Sequence, residues 1–236
     1  MNKPSLSLLL LIMCMAVTGT MSAERYVRTS DGVEVTTDNG VNVRLQVIQS
    51  KIIRVSALPS APWPVDASLV VLPDARDTSS RWDITDTDST VSVTTYDVTA
   101  TVSLASGAVS FADKTGREIL RECADGRTFE PITVESTDGY TVSQTFESPD
   151  DNEGIYGLGQ HQSNEWNYKG RNEQLYQYNT KVSVPFVVST GNYGLLWDSY
   201  SLCRWGRHDD YRQLGQVFRL RDKEGREGAL TGTYRA

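Results

Sequence analysis

Histidine is scarce in this 236-residue chain, and its scarcity removes several classes of function. The only two histidines, His161 and His208, lie far apart in the sequence. Most zinc sites and most serine or cysteine triads depend on histidine, and no Gly-x-Ser-x-Gly segment accompanies either residue. Asp209 and Asp210 follow His208 directly, but neighbouring residues on a strand point to opposite faces. The sequence therefore predicts no metal site, no cofactor and no hydrolytic triad.

Methionine is confined to the first 21 residues, where all four copies lie. Lys3 gives this segment a positive start, and residues 6–17 are apolar almost throughout. A run this short is typical of a secretory signal peptide rather than of a membrane span. Residues 1–23 are therefore predicted to direct the protein out of the cytoplasm, as a secreted or periplasmic protein. Cys14 leaves lipid anchoring open, although Met13 before it is larger than the residue usual at that position.

Two further cysteines, Cys123 and Cys203, complete the total of three. In an oxidising compartment they could form one disulfide. The alternative is a pair of buried free thiols. We favour the thiols, because a chain of this length can bury an adequate core without a cross-link.

Basic residues are outnumbered, with 23 lysines and arginines against 30 aspartates and glutamates and a formal net charge of −7. Loss of Lys3 with the signal peptide makes the remainder one unit more negative. The chain has no cluster of lysine or arginine. An acidic domain without a basic stripe is a poor candidate for binding nucleic acid or an anionic membrane, whereas a neutral glycan would suit it.

Apolar and polar residues alternate with a period of two over most of the chain, as in strands with one buried face. The clearest runs are Val41, Val43 and Leu45, then Val91 and Val93, then Val98, Ala100, Val102 and Leu104, then Tyr140, Val142, Gln144 and Phe146. Turn signals separate them at Asn39-Gly40, Ser106-Gly107, residues 113–116 and Asp138-Gly139. Short strands joined by such turns predict an all-β, antiparallel β-sandwich or barrel, with no amphipathic helix of three turns.

Aromatic and amide side chains are interleaved across residues 156–198. This mixture suits sugars, because an aromatic face packs on the C–H face of a pyranose while amides pair with hydroxyls. A strand-rich core with large aromatic residues is the alternative. Gly157-Leu158-Gly159 lacks the lysine and helix of a phosphate loop, so it is interpreted as a bend at a strand edge.

Acidic pairs such as Asp150 with Asp151 lie in polar, turn-like sequence. Glycoside hydrolysis needs two carboxylates flanking the scissile bond. Because carboxylates in such turns stay solvated, none of these pairs is assigned a catalytic role.

Several segments, in this order and spacing, resemble the N-terminal domain of glycoside hydrolase family 31. They are residues 43–47, 52–55, 99–102, 107–111 and 156–160, Asn179-Thr180, Pro185-Phe186, and residues 193–198. Residues 228–234 resemble the first strand of a PA14 module, which bacterial α-xylosidases acting on xyloglucan oligosaccharides carry in this domain. The resemblance implies a galactose-mutarotase-like β-sandwich over residues 24–227, and a truncated PA14-like module at 228–236. It also implies an α-xylosidase parent, with α-glucosidase as the near alternative.

Members of this family use two aspartates in a (β/α)₈ barrel, with retention of configuration. That barrel is expected C-terminal to this domain in the same polypeptide, so no catalytic residue is assigned in this chain, and the fragment alone is expected to be inactive. In the family, a loop of this domain reaches the rim of the active site, and by position that loop is expected within residues 172–183 here. The resemblance therefore suggests sugar contacts from Gln177, Tyr178 and Asn179, with Trp166 and Tyr168 behind them. The alternatives are a stand-alone carbohydrate-binding sandwich and a structural surface protein.

Overall fold

The computed structural model describes residues 25–59, 63, 68–72, 75–207, 219 and 221–227. The predicted signal peptide (1–23), with Cys14, and the predicted PA14-like segment (228–236) lie outside these ranges, as does His208. Within them, no helix has the length and apolar character needed to cross a membrane.

Regular structure in the described residues consists of β-strands, which confirms the predicted all-β class. The strands are β1 (Tyr26–Arg28), β2 (Gly32–Thr36), β3 (Asn42–Gln49), β4 (Ile52–Leu58), β5 (Trp82–Asp86), β6 (Thr90–Thr95), β7 (Val98–Ser103), β8 (Val109–Asp113), β9 (Glu118–Val134), β10 (Thr137–Glu147), β11 (Ile155–Gln160), β12 (Glu173–Leu175), β13 (Val182–Ser189), β14 (Gly194–Leu196) and β15 (Cys203–Trp205). Every pairing between them is antiparallel.

The first two sheets enclose the larger core and form the predicted sandwich. One sheet has the strand order β1-β2-β3-β4 and the other β10-β9-β8-β7-β6-β5. Alternate residues of β2 and β3 meet alternate residues of β6, β7 and β8 in this core. It consists of Val33, Val35, Val43, Leu45, Val47, Val91, Val93, Ala100, Val102, Leu104 and Val109. The period-two pattern therefore identified seven of these eleven residues, namely Val43, Leu45, Val91, Val93, Ala100, Val102 and Leu104. The same runs also included Val41 and Val98, which are only partly buried.

Three of the four predicted turns are confirmed, and the fourth is wrong. Gly40, Gly107 and Gly116 all adopt positive φ, which glycine tolerates without steric cost. Asp138-Gly139, by contrast, lies inside β10, where Gly139 pairs with Ile132. The chain reverses instead at Glu135-Ser136, whose φ values are 47° and 72°. Positive φ at both central residues is what a two-residue hairpin turn of type I′ requires, and these two residues supply it without glycine.

The hairpin of β9 and β10 also corrects the burial expected for its residues. Tyr140 and Val142 share a face, as their spacing predicts, but they are 48% and 43% exposed. Phe129 packs on Tyr140 edge to face, with ring centroids 6.0 Å apart. The alternation there marks one face of a long ribbon rather than a wall of the core.

The C-terminal third of the described chain forms a second, smaller core. It lies among the sheet β11-β13-β14 and the pair β12-β15 and contains Ile155, Leu158, Tyr168, Leu175 and Val187. β11 is an edge strand whose register with β13 shifts between Gly157 and Gly159. Residues 157–159 all have positive φ, so the predicted strand-edge bend is confirmed as a β-bulge.

Cys123 and Cys203 are free thiols, as favoured from the sequence, but both are partly rather than fully buried. Cys123 belongs to β9, and Cys203 packs against the second core from β15. Burial, together with a hydrogen bond to Glu147, raises the pKa of the Cys123 thiol.

Candidate functional site

A tight turn projects between β12 and β13, and residues 176–181 are called the aromatic turn below. The Lys181 N–H donates to the Tyr178 carbonyl at 2.8 Å, and these two residues also form an isolated antiparallel bridge. Asn179 and Thr180 therefore occupy the two central positions of the reversal. Asparagine suits such a position because its short polar side chain competes for backbone hydrogen bonds there.

Two tyrosines stack on each other along one side of the aromatic turn. The ring centroids of Tyr176 and Tyr178 lie 5.3 Å apart with an interplanar angle of 22°. The two residues are 47% and 44% exposed. Residues two apart on an extended chain point to the same side, which explains why they meet. The result is an aromatic surface next to exposed amides, a combination that suits sugars.

Gln162, in the loop after β11, contacts the tip of the aromatic turn and the tyrosine before it. Its Nε2 donates to Thr180 Oγ1 at 3.0 Å, and its Oε1 accepts from the Tyr178 hydroxyl at 3.4 Å. One amide therefore restrains the tip of the turn and the ring that stacks beside it.

A buried carboxylate lies at the base of the turn. Glu173 is 7% exposed. Its Oε1 accepts from Lys181 Nζ at 2.7 Å, and its Oε2 accepts from Ser163 Oγ at 3.0 Å. Burial would raise the pKa of Glu173, but the hydrogen bonds from Lys181 and Ser163 and the nearby positive charges outweigh burial, and the pKa is lowered. The same ion pair raises the pKa of Lys181.

His161 also faces this carboxylate, with a fully buried side chain. Its Nε2 lies 2.6 Å from the Leu158 carbonyl oxygen, and a carbonyl only accepts, so Nε2 carries the proton. Its Nδ1 faces Glu173 Oε1 at 3.5 Å. The ring meets Tyr168 edge to face, with centroids 6.4 Å apart. His161 therefore helps to anchor the base of the turn to the second core.

Residues 42–205 match the family described as the glycosyl hydrolase 31 N-terminal galactose mutarotase-like domain. The chain belongs to this family. The match confirms the resemblance drawn from the sequence and the galactose-mutarotase-like fold.

Similar proteins to this family 31 domain include α-xylosidases. An α-xylosidase of Saccharolobus solfataricus is 33% identical over 171 residues, which are 69% of this chain and 23% of that protein. The crystal structure of a family 31 α-xylosidase from Xanthomonas citri is 41% identical, with a TM-score of 0.77, over 86% of this chain and 22% of that one. A soil-metagenome α-xylosidase structure in complex with xylose is 25% identical, with a TM-score of 0.61, over 76% of this chain and 28% of that one. The family 31 domain thus spans about a quarter of the length of these relatives.

The structure brings three of the five predicted site residues together. Gln177, Tyr178 and Asn179 are exposed neighbours in the aromatic turn. Trp166 lies in the loop before β12 and is 86% exposed, whereas Tyr168 is 5% exposed and belongs to the second core. The Tyr168 carbonyl accepts from Trp205 Nε1 at 2.9 Å. Tyr168 therefore lies beneath the surface of the family 31 domain. The sugar-binding roles of all five residues stay predictions.

Sequence reasoning missed Tyr176, Gln162, Glu173 and Lys181. The Tyr-x-Tyr spacing of residues 176 and 178 was a usable signal, because a period of two places both rings on one side of an extended segment. Glu173, in the strand before the turn, and Lys181, the last residue of the turn, carry opposite charges. Because they are eight residues apart in the sequence, an ion pair between them can be inferred only when the turn that brings them together is known.

Proposed function

We propose that this chain is the carbohydrate-facing N-terminal domain of a secreted α-glycosidase that releases α-linked xylose with retention, and that the aromatic turn contributes to the rim of its active site. The proposed substrate class is xyloglucan-type oligosaccharides. α-Glucosidase activity is the near alternative, on the family resemblance. The chain itself is assigned no catalytic carboxylate and is expected to be inactive alone.

The observation that carries this proposal is the aromatic turn. Stacked, half-exposed rings at Tyr176 and Tyr178 stand beside the amides of Gln177 and Asn179. An aromatic face and hydrogen-bonding amides held on a short, restrained loop can contact a sugar at small entropic cost. A domain that narrows the mouth of a catalytic barrel would add binding energy near the reacting sugar.

A catalytic barrel in the same polypeptide is the proposed partner of this domain. The relatives are about four times as long as the matched segment.

One face of the sheet β11-β13-β14 also carries exposed apolar side chains: Tyr156, Val184, Phe186, Val188 and Leu196, termed the apolar face. Phe186 pairs with Leu196 and Val188 with Tyr156, so the five share one side of the sheet. Apolar patches of this kind mark contact surfaces, and the rest of the polypeptide is the proposed occupant.

The proposed secretion is consistent with a glycan-degrading role, because large oligosaccharides are met outside the cytoplasm. It rests on the sequence of residues 1–23, and anchoring through Cys14 remains the alternative form of the same proposal.

The deciding experiment is an assay of the full-length natural polypeptide that contains this chain. We expect it to hydrolyse p-nitrophenyl α-D-xyloside and to release xylose from a xyloglucan oligosaccharide. Proton NMR of the first product should show the α-anomer, as retention requires. Preferential hydrolysis of the matching α-glucoside would favour the alternative activity. Binding without hydrolysis of either compound would favour a carbohydrate-binding module instead.

A further inference from the structure

Lys181 connects the buried base of the aromatic turn to its exposed rings. Its ammonium contacts Glu173 Oε1 at 2.7 Å and the Gln174 carbonyl oxygen at 3.1 Å. It also lies 5.3 Å from the centroid of the Tyr176 ring, within the range of a cation–π interaction. The side chain is only 11% exposed. An ammonium buried to this extent depends on its partners, because removal of one partner leaves a buried charge without compensation.

Glu173 fixes this ammonium from a position that cannot easily shift. The carboxylate belongs to β12, which pairs with β15, and Leu175, two residues further along the same strand, lies in the second core. Ser163 and His161 contact the same carboxylate from the preceding loop. The loop and the Lys181 end of the aromatic turn therefore converge on a single buried side chain.

We propose that Glu173 and Lys181 are positioning residues for sugar binding. Lys181, held by Glu173, sets the orientation of the Tyr176 ring, and the stack of Tyr176 on Tyr178 passes that orientation to the sugar-facing surface. This inference rests on the proposed function of the aromatic turn and adds the residues that hold the turn in its binding shape. Neither residue is assigned a direct contact with sugar.

A comparison with another ion pair can distinguish positioning of the Tyr176 ring from general stabilisation of the fold. A second buried ion pair, Arg127 with Glu122, has nearly the same exposure, with side chains 10% and 6% exposed against 11% and 8% for Lys181 and Glu173. It lies in the six-stranded sheet, where Arg127 also donates to the Gly107 carbonyl. If burial of an ion pair were all that mattered, breaking either pair would have the same consequences.

The test is steady-state kinetics of the full-length natural polypeptide on a xyloglucan oligosaccharide. For Lys181→Met we expect KM to rise about five- to tenfold with kcat within about twofold, because uniform binding is lost rather than transition-state stabilisation. Lys181→Arg keeps the charge and should hold KM within about threefold of wild type. Glu173→Gln provides a milder disruption if Lys181→Met does not accumulate as folded protein.

Two further variants make the test specific. Arg127→Met should lower the melting temperature without changing KM. Adding Lys181→Met to a Tyr176→Ala background should raise KM by less than about twofold, because coupled residues give non-additive effects. Full additivity of the effects of Lys181→Met and Tyr176→Ala on KM would overturn the inference. A Lys181→Met variant whose KM, like that of Arg127→Met, equals the wild-type KM would also overturn it.

Tyr178→Ala separates failure of this inference from failure of the proposed function. If Tyr178→Ala raises KM while Lys181→Met does not, the turn binds sugar but the ion pair does not position it. If neither substitution changes KM, the sugar-binding role of the turn is wrong, and the positioning inference falls with it.

Discussion

Arg54 Nη2 lies 3.0 Å from Asp198 Oδ2 and thereby ties the sandwich to the segment that follows β14. Arg54 belongs to β4 at one side of the four-stranded sheet. Asp198 is only 16% exposed, and the arginine is 36% exposed. A second link runs nearby, where the Tyr200 hydroxyl contacts Ser68 Oγ at 3.3 Å. These contacts join regions of the chain that are far apart in sequence.

Breaking the Arg54–Asp198 pair should destabilise the domain. We expect Arg54→Met to lower the free energy of unfolding by about 1 kcal/mol, near the upper end for partly exposed pairs. The measurement is urea unfolding of the chain, with Arg25→Met as the matched control, since Arg25 pairs with Asp38 at a surface where both are largely exposed. Equal effects of the two substitutions would contradict a special role for the Arg54–Asp198 pair.

Truncating Tyr178 should weaken sugar binding. The ring supplies half of the exposed aromatic stack, so Tyr178→Ala is expected to raise the dissociation constant for a xyloglucan oligosaccharide about tenfold, as for loss of one aromatic–sugar contact of roughly 1–1.5 kcal/mol. Calorimetry on the full-length polypeptide is the measurement. Tyr140→Ala is the control, because that tyrosine is similarly exposed but lies on the β9–β10 hairpin. An equal loss in both variants would argue against specific binding at the turn.

Acid should remove the stabilising contribution of Glu173. Its pKa is lowered in the folded state from an ordinary value of 4.5. A carboxyl group whose folded pKa is lowered contributes stability above its unfolded pKa and loses it as the pH falls through the folded pKa. The difference in unfolding free energy between wild type and Glu173→Gln should therefore shrink as the pH falls from about 6 to about 3. Urea midpoints across that range provide the check, and a difference that does not vary with pH would refute the assignment.

The bulge in β11 should tolerate no side chain at Gly159. Its φ is +95°, and an added Cβ would lie 2.0 Å from the Val182 carbonyl oxygen. Gly159→Ala is expected to cost about 1–3 kcal/mol or to prevent folding, since strained backbone and a steric clash combine. Gly139→Ala is the control, because no atom lies within 4 Å of the place its added methyl group would take, and it should be neutral or stabilising by up to about 1 kcal/mol. Thermal unfolding of both variants separates the two cases.

The isolated chain should associate through its apolar face. Val184 and Val188 are 42% and 47% exposed on this face, and exposed apolar strands favour aggregation. Replacing both by threonine keeps their shape and β-branching, and should raise the monomer fraction seen by light scattering. Val27→Thr is the control, since Val27 is 57% exposed on β1, in a different sheet. A wild-type chain that melts cooperatively as a monomer would disprove this expectation.

The inward-facing strand positions and most hairpin turns could be predicted from the sequence, because both depend on residues that are close together along the chain. Alternation assigned Val43, Leu45, Val91 and Val93 to inward positions, since successive residues of a strand point to opposite faces. Glycine marked three hairpins correctly. The expectation that glycine marks the turn failed at Glu135-Ser136, where two non-glycine residues take positive φ. The nearby Asp138-Gly139 pair is the stronger turn signal in the sequence, but it lies inside β10.

The family and its β-sandwich were thus determined by the sequence alone, through the order and spacing of segments within residues 42–205. The loop that holds Gln177, Tyr178 and Asn179 was likewise predicted by position, and the sugar-binding role of these three residues stays a prediction. Only the tertiary structure decided what holds them. Glu173 meets Lys181, Ser163 and His161 because loop, strand and turn converge in space, and a buried charge is stabilised by whichever partners the fold brings to it. Contacts of that kind depend on chain path rather than on local pattern, so residue spacing alone could not have revealed them.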